Sequence, residues 1–332
     1  MGEMDFIDLI RLASGYIEAR AIQAAVALGV FELLTDPHDA IGVARAIQCD
    51  RRATELLLNG LVSVGLLDKR GSSYALSEIS STYLVKRSPK YLGGMVLFES
   101  SLWNCWGGLE KAVRTGKPGR APDMYQEDAE ETERFIAAMD SLVRARGDAE
   151  IVAEKLDLSG VRELLDVGSG PATYPIVFCR NYPTLWASLF DLPATSKVTE
   201  RFVRASGLSN RIRLIRGDYR RDPIPGTYQL VFLSNIIHSE SSEANQGLME
   251  KLYGCLDQGG RIVIKDHILD DSLAHPSAGA LFSLLMLLTT EQGRCYSFNE
   301  VKRWLWKAGF QRVHEVLLPP PLTSSLVIGE KA

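Results

Sequence analysis

The sequence predicts an α/β chain: a mainly helical N-terminal region followed by a mostly parallel sheet whose last strand runs antiparallel. Three observations predict it. From Val161 onward, short apolar runs alternate with amphipathic segments of helical length, the pattern of a parallel sheet covered by helices. The first of these runs, Leu164-Leu165-Asp166-Val167, ends in Gly168-Ser169-Gly170 directly before a helical pattern starting near Ala172. Before residue 157 the chain carries apolar repeats of helical spacing and only one short strand signal.

The 332 residues allow about two domains. Three segments are expected: 1–88 as a small helical domain, 89–157 as connecting helices that contribute to a substrate pocket, and 158–332 as the sheet domain with the ligand site. A composition of 46% hydrophobic and 23% charged residues is that of an ordinary globular chain.

Met4 to Leu33 reads as two helices, interrupted near Gly29 and ended by Asp36-Pro37. They have little polar surface, so a cover beyond their own domain is expected. Ala40 to Ile47 is a short helix. Asp50 is an N-cap for the next, with Leu57, Leu58, Leu61, Val62, Val64 and Leu66 on its inner face. Asp68 to Ser73 reads as a turn and Tyr74-Ala75-Leu76 as a strand. Helix, helix and small hairpin outline a winged helix. A DNA-reading helix needs basic and polar side chains. Here Arg51 and Arg52 stand alone at the helix start, and the module reads as a dimerisation unit.

Pro89 to Gly116 carries aromatics at helical spacing, among them Trp103 and Trp106, which either fill a core or wall a flat apolar pocket. Residues 117–122 are a loop, and Glu130 to Asp148 a helix with Phe135, Ile136, Met139 and Leu142 on one face. Strands are expected at 162–167, 185–190, 211–216, 228–234, 260–267, 311–318 and 322–329. Helices are expected near 172–181, 195–206, 242–257, 277–290 and 298–309. Pro319-Pro320-Pro321 alone separates the last two strands, which favours an antiparallel hairpin.

The chemistry-bearing residues fall at the ends of these strands, where open α/β sheets bind ligands. Gly168 and Gly170 let the backbone turn and approach a ligand with no Cβ in the way. The helix after them presents unpaired N–H groups. A dinucleotide fingerprint wants a third glycine where Thr173 stands. The form present, Asp166-x-Gly168-x-Gly170, resembles the S-adenosylmethionine loop of class I methyltransferases. Asp191, about twenty residues beyond, is placed to accept both ribose hydroxyls. Asp218 is placed to accept from an adenine amino group while Tyr219 packs on the ring. His238 closes the fourth strand, where a neutral imidazole takes a proton from a phenol or enol hydroxyl. Asp266, near the end of the fifth, would hold its tautomer. His38, His267, His275 and His314 read as structural, though His267 lies near the cleft.

These residues in this order resemble the small-molecule O-methyltransferases of plant and bacterial secondary metabolism. The resemblance rests on DVGSG (166–170), FDLP (190–193), GDY (217–219), His238 and LDQGGRIVIKDH (256–267). It implies a winged-helix-like dimerisation domain before a Rossmann-like class I methyltransferase domain. S-Adenosyl-L-methionine would be the cofactor and S-adenosyl-L-homocysteine its product. It puts Asp166, Gly168, Gly170, Asp191, Leu192, Asp218, Tyr219 and Ser234 at the cofactor, His238 as general base and Asp266 beside it. It lines the substrate pocket with Trp103, Trp106, Phe135, Met139, Phe282, Met286 and Thr290. The family often has Lys where Ser234 stands and His-Asp-Trp where His238-Ser239-Glu240 stands, and Cys295 takes the place of a second acid beside the base. Methylation of nitrogen or carbon, or a non-methylating reaction, is the alternative on the same fold. A cofactor-sensing DNA-binding regulator is a further one.

A net charge of −4 gives no electrostatic case for nucleic acid. The five cysteines are scattered, with no zinc or disulfide pattern. No paired carboxylates stand at metal-ligand spacing, and no magnesium is expected. Met1 to Asp8 lacks the basic start of a signal peptide, and Gly2 is followed by Phe6 where myristoylation wants Ser or Thr. Leu281 to Leu288 is too short to span a bilayer. The expectation is a cytoplasmic homodimer acting on a small molecule, away from membranes.

Overall fold

A computed structural model describes residues 4–123 and 125–332. Gly2, on which the acylation reading turns, and the adjoining Met1 and Glu3 lie outside the described residues. The chain divides into a first unit ending at Leu102 and a second running from Trp103 to Ala332.

The first unit is built from helices Phe6–Ser14, Tyr16–Ala27, Val30–Leu33, Ala40–Ala46, Arg51–Ser63, Glu78–Tyr83 and Gly93–Ser101. Asp39 and Asp50 start two of them as expected of N-caps: their carboxylates accept from the backbone N–H of Gly42 at 2.7 Å and Ala53 at 2.8 Å. Phe31, Leu34, Leu58, Leu61 and Tyr74 form its core. Helix Gly93–Ser101 packs on Tyr16–Ala27, and Arg20 donates to Ser100 Oγ at 2.9 Å. Helix Phe6–Ser14 buries no residue at all; Phe6 is 75% exposed and Leu12 70%.

Residues 68–70, read as part of a turn, belong to strand Leu67–Arg70, which pairs antiparallel with Ser73–Leu76; His38–Asp39 completes a three-stranded sheet. Asp68, Lys69 and Arg70 are all exposed, so this edge strand shows no alternation of apolar and polar residues. The turn itself is only Gly71-Ser72, with Gly71 at φ +59°.

The second unit holds a seven-stranded sheet: Glu163–Val167 (β1), Trp186–Asp191 (β2), Ile212–Arg216 (β3), Tyr228–Ser234 (β4), Leu256–Asp266 (β5), Gln311–Leu317 (β6) and Ser325–Glu330 (β7). The order across it is β6-β7-β5-β4-β1-β2-β3. Strands β1 to β5 pair in parallel, while β7 runs antiparallel to both β5 and β6. Helices Thr173–Asn181, Pro193–Ser206, Ser242–Gly254 and Phe298–Ala308 cover its faces. Leu164, Leu230 and Phe232 enter one apolar core; Leu165, Val231 and Leu233 enter the other. Burial on both faces is why β1 and β4 read as continuous apolar runs. The strand order reverses between β1 and β4, so their carboxyl ends frame a crevice.

Strand β5 begins four residues earlier than its apolar pattern, since Leu256 already pairs with Tyr228 before the register shifts. A two-stranded parallel sheet, Ile268–Leu269 with Tyr296–Ser297, was not legible at two residues per strand. Among the described residues, no helix is long and apolar enough to cross a membrane.

Candidate active site

The site begins where β1 turns. Gly168 (φ +68°) and Gly170 (φ +51°) both take left-handed backbone. At Gly168 an added Cβ would overlap Ile236 Cδ1, from the segment after β4, so glycine is demanded there twice over. Ala172, itself at φ +61°, is the N-cap of helix Thr173–Asn181.

Asp191, the last residue of β2, reaches back to this turn. Its Oδ2 accepts from the Gly170 N–H at 2.7 Å and its Oδ1 from the Leu192 N–H at 2.7 Å; the Ser169 hydroxyl adds a long contact of 3.5 Å. Leu192 is in turn the N-cap of helix Pro193–Ser206. Burial pushes the Asp191 carboxyl up to about 6 despite these donors. A carboxylate offers about four acceptor positions, so three donors leave it room for a ligand hydroxyl. Asp166 lies beside it, and its Oδ1 is buried with no hydrogen-bond partner. Burial first, then the neighbouring Asp191, raises Asp166 well above the usual carboxyl range.

Beyond β3, Gly217 N–H donates to the Asp191 carbonyl at 3.0 Å, which brings Asp218 and Tyr219 to the same end of the sheet. Asp218 Oδ1 accepts from the Arg220 N–H at 2.9 Å and its Nε at 3.0 Å. Tyr219 is buried and donates its hydroxyl to Glu240 Oε1 at 2.7 Å. Ser234 ends β4, half-buried. Asn235 follows at φ +57°, with its N–H on the Lys265 carbonyl at 2.8 Å. Spare carboxylate lone pairs, the orphaned Asp166 Oδ1 and a turn that admits no Cβ suit a ligand rich in hydroxyl and amino donors.

His238 does not close the fourth strand, as the sequence suggested. Strand β4 stops at Ser234, and His238 sits in a short 3-10 turn, Ile237–Ser239. The left-handed Asn235 breaks the strand first. The imidazole Nδ1 lies 2.8 Å from Asp266 Oδ1, and both residues are buried. Asp266 is the last residue of β5. Its Oδ1 also accepts from the His267 N–H at 2.7 Å, while Oδ2 is buried without a partner. Burial would raise this carboxyl, but the His238 ring beside it, with the contacts from His267, holds it below its usual range.

The expected pocket residues fall into two groups. Phe282, on helix Ser277–Thr289, meets His238 in a T-shaped contact with ring centroids 4.9 Å apart. Thr290 caps that helix; its hydroxyl donates to the Met286 carbonyl at 2.7 Å and accepts from Gly293 N–H at 2.8 Å. A Cβ on Gly293 would run into both the His238 carbonyl and Thr290 Oγ1, so Thr290 and His238 are neighbours. Met286 is buried. Trp103 and Trp106 lie on helix Trp103–Gly107, which buries none of its residues and packs against Ser277–Thr289. Phe135 and Met139 are half-buried on helix Ala129–Arg146. Phe135 stacks on Tyr125 at 4.2 Å, and Ile136 of the same helix comes within 4.0 Å of where a Gly170 Cβ would lie. Helix Ala129–Arg146 thus reaches the glycine turn through Ile136, while Phe282, Met286 and Thr290 lie on the His238 side.

Cys295 is buried beside Asp266; burial, then that carboxylate, pushes its thiol up to about 12, so it stays neutral. Sequence reasoning missed Glu240, which the Tyr219 contact reveals, and set His267 aside as structural although it follows Asp266 directly. A surface hollow of about 360 Å³ lined by Asp271, Asn299, Lys302, Arg303 and Trp306 contains none of these residues.

Over residues 106–311 the chain matches the O-methyltransferase domain, and over residues 10–86 the O-methyltransferase dimerisation domain. It is 32% identical over 328 residues to 3-hydroxy-5-methyl-1-naphthoate 3-O-methyltransferase of Streptomyces sahachiroi, covering 98% of this chain and 95% of that one. Among solved structures it is similar to human N-acetylserotonin methyltransferase in complex with S-adenosylmethionine, with a TM-score of 0.89, 26% identity and 100% of both chains covered. It is likewise similar to PigF, a Serratia methyltransferase solved with S-adenosylhomocysteine, with a TM-score of 0.89, 27% identity and 98% and 100% coverage.

Proposed function

Because the chain belongs to the O-methyltransferase family, we propose that it methylates a hydroxyl of a small aromatic or polyketide-like metabolite, using S-adenosylmethionine and with His238 as general base. When bound, that cofactor supplies an electrophilic methyl group on a sulfonium sulfur. The residues suited to hold it are the Gly168–Gly170 turn, Asp166 with its unpartnered oxygen, Asp191 with its spare lone pairs, and Leu192, Asp218, Tyr219 and Ser234 at the neighbouring strand ends.

The observation that carries the reading is the buried His238–Asp266 hydrogen bond at 2.8 Å. A carboxylate only accepts, so Nδ1 carries the proton and Nε2 keeps its lone pair. That lone pair takes the proton of the acceptor hydroxyl as its oxygen becomes the nucleophile. The imidazolium that forms rests against the Asp266 carboxylate, which offsets the cost of a buried charge. Phe282, Met286 and Thr290, with Trp103 and Trp106 on the adjoining helix, supply apolar walls that orient a flat ring and exclude water. Phe135 and Met139 serve the same pocket from the helix over the glycine turn.

The functional unit is proposed to be a cytoplasmic homodimer. The exposed apolar side chains of helix Phe6–Ser14 support an interface between copies. Substituting His238 by Ala is expected to lower turnover about 10²–10⁴-fold, while calorimetry finds S-adenosylmethionine affinity within a few-fold of the parent. Undiminished turnover of phenolic acceptors by that variant would remove the base assignment.

A further inference from the structure

His267 has no part in the proton transfer just described, yet the fold brings its imidazole to the same place. Its backbone N–H donates to Asp266 Oδ1, the oxygen that also holds His238. Its ring faces Phe282 at 4.8 Å between centroids, against 4.9 Å for His238, so one phenyl ring is shared by two imidazoles. Its Nδ1 lies 3.0 Å from the Thr323 carbonyl oxygen. The hydroxyl of Thr323, at 3.4 Å, is the longer contact. A carbonyl cannot donate, so Nδ1 bears the hydrogen and the neutral ring presents Nε2 as a bare acceptor. Burial lowers the affinity of this imidazole for a second proton. No hydrogen bond to Nε2 occurs among the described residues.

We propose that His267 is a specificity-determining residue: its Nε2 accepts a hydrogen bond from a second hydroxyl of the methyl acceptor, so the preferred acceptors are aromatic diols rather than mono-ols. The inference rests on the reading of His238 as base in a hydroxyl methylation. The two hydroxyls must both lie beside Phe282, as on adjacent or peri positions of a fused ring. A ring carboxylate fits poorly, because it would set an anion against a lone pair with no proton between them. A site built to bond a hydroxyl discriminates well against the analogue that lacks it, since its own polar group is then left unpaired.

Two measurements on the full chain test this. The first uses ¹⁵N-histidine labelling, with His267→Gln to assign the signal, and reads the tautomer at pH 7.5 without any turnover. A neutral ring protonated at Nδ1 is expected; one protonated at Nε2, or a cation, overturns the proposal. The second compares kcat/KM for 2,3- and 1,8-dihydroxynaphthalene with that for 1- and 2-naphthol. The parent chain is expected to favour a diol about 10- to 100-fold, the range of one well-made hydrogen bond to a group otherwise left unpaired. His267→Phe should erase that preference, chiefly through the KM of the diol, with naphthol turnover within about threefold. His267→Gln, whose amide oxygen can stand near the Nε2 position, should retain part of it. No diol preference in the parent, or equal losses on diols and naphthols in both variants, overturns the proposal and leaves the methyltransferase reading intact. Methylation of none of the four compounds by the parent chain overturns the hydroxyl-methylation reading, and this inference with it.

Discussion

Nδ1 of His238 lies 2.8 Å from Oδ1 of Asp266, while the other oxygen of that carboxylate is buried with no partner. The pair is therefore held by a single hydrogen bond. Cys295, the residue placed beside it, carries a neutral thiol that adds no negative charge.

That arrangement makes Asp266→Asn a sharp test. An amide either points its NH₂ at His238, which turns the imidazole to the wrong tautomer, or leaves that NH₂ buried in the Oδ2 position with nothing to bond. Turnover should fall about 10²–10⁴-fold. Binding of S-adenosylmethionine, followed by calorimetry, should change by less than about threefold. A variant with near-parental kcat would mean that the carboxylate does not govern the base.

The glycine turn predicts a contrast between two neighbours. Gly168→Ala meets both an unfavourable positive φ and the side chain of Ile236, so a loss of about 2–4 kcal/mol is expected. Gly170→Ala meets only the conformational cost, since Ile136 Cδ1 stands 4.0 Å away, and about 1–2 kcal/mol is expected. Urea unfolding of the two variants reads the difference directly. Equal midpoints would show that the Ile236 contact is not what excludes a side chain at residue 168.

Asp191 gives a prediction in pH. Burial outweighs its three donors and lifts its carboxyl from an ordinary 3.8 to about 6 in the folded chain. The native state therefore binds this proton more tightly than the unfolded chain does. Stability relative to Asp191→Asn should be greatest below about pH 4, fall as pH rises from 4 to 6, and stay level above that. The fall across that window should come to about 3 kcal/mol. Denaturant titrations of both proteins at pH 4, 5, 6 and 7 measure it, and a pH-independent difference would count against a buried, raised carboxyl.

The first helix predicts an assembly effect. Phe6 and Ile10 are exposed within the single chain and contribute nothing to its core. Charging both, as in Phe6→Glu with Ile10→Glu, should leave the thermal midpoint of the sheet unit unchanged while shifting the protein to monomer in sedimentation. A variant that still sediments as a dimer would assign the interface elsewhere.

The sheet was legible because its central strands are buried on both faces, so Leu164, Leu165, Val231 and Leu233 spell their strand without reference to the rest of the chain. The antiparallel end was legible in the three prolines between β6 and β7. Strand Leu67–Arg70 was not, because Asp68, Lys69 and Arg70 face water and its place is set by hydrogen bonds to Ser73–Leu76. The position of His238 after the strand depends on Asn235 adopting a left-handed turn, which asparagine favours more than most residues but does not compel. The meeting of Phe282 with His238 and His267 joins three segments of chain, and periodicity carries no information on such encounters. What sequence did convey about the site was the set of strand ends; which of their side chains touch is a property of the packed sheet.

Phe282, Met286 and Thr290 stand on or at the end of helix Ser277–Thr289, and none of them belongs to either apolar core of the sheet. In the pocket proposed above, recognition is thus written largely outside the residues that hold the sheet together. A combinatorial library at Phe282 and Met286 would change the shape offered to the acceptor without touching either sheet core, whereas Thr290 holds the helix end through Met286 and Gly293 and is best kept. Gene duplication followed by drift at so few codons would have the same freedom, and a directed-evolution campaign aimed at a new acceptor would start there.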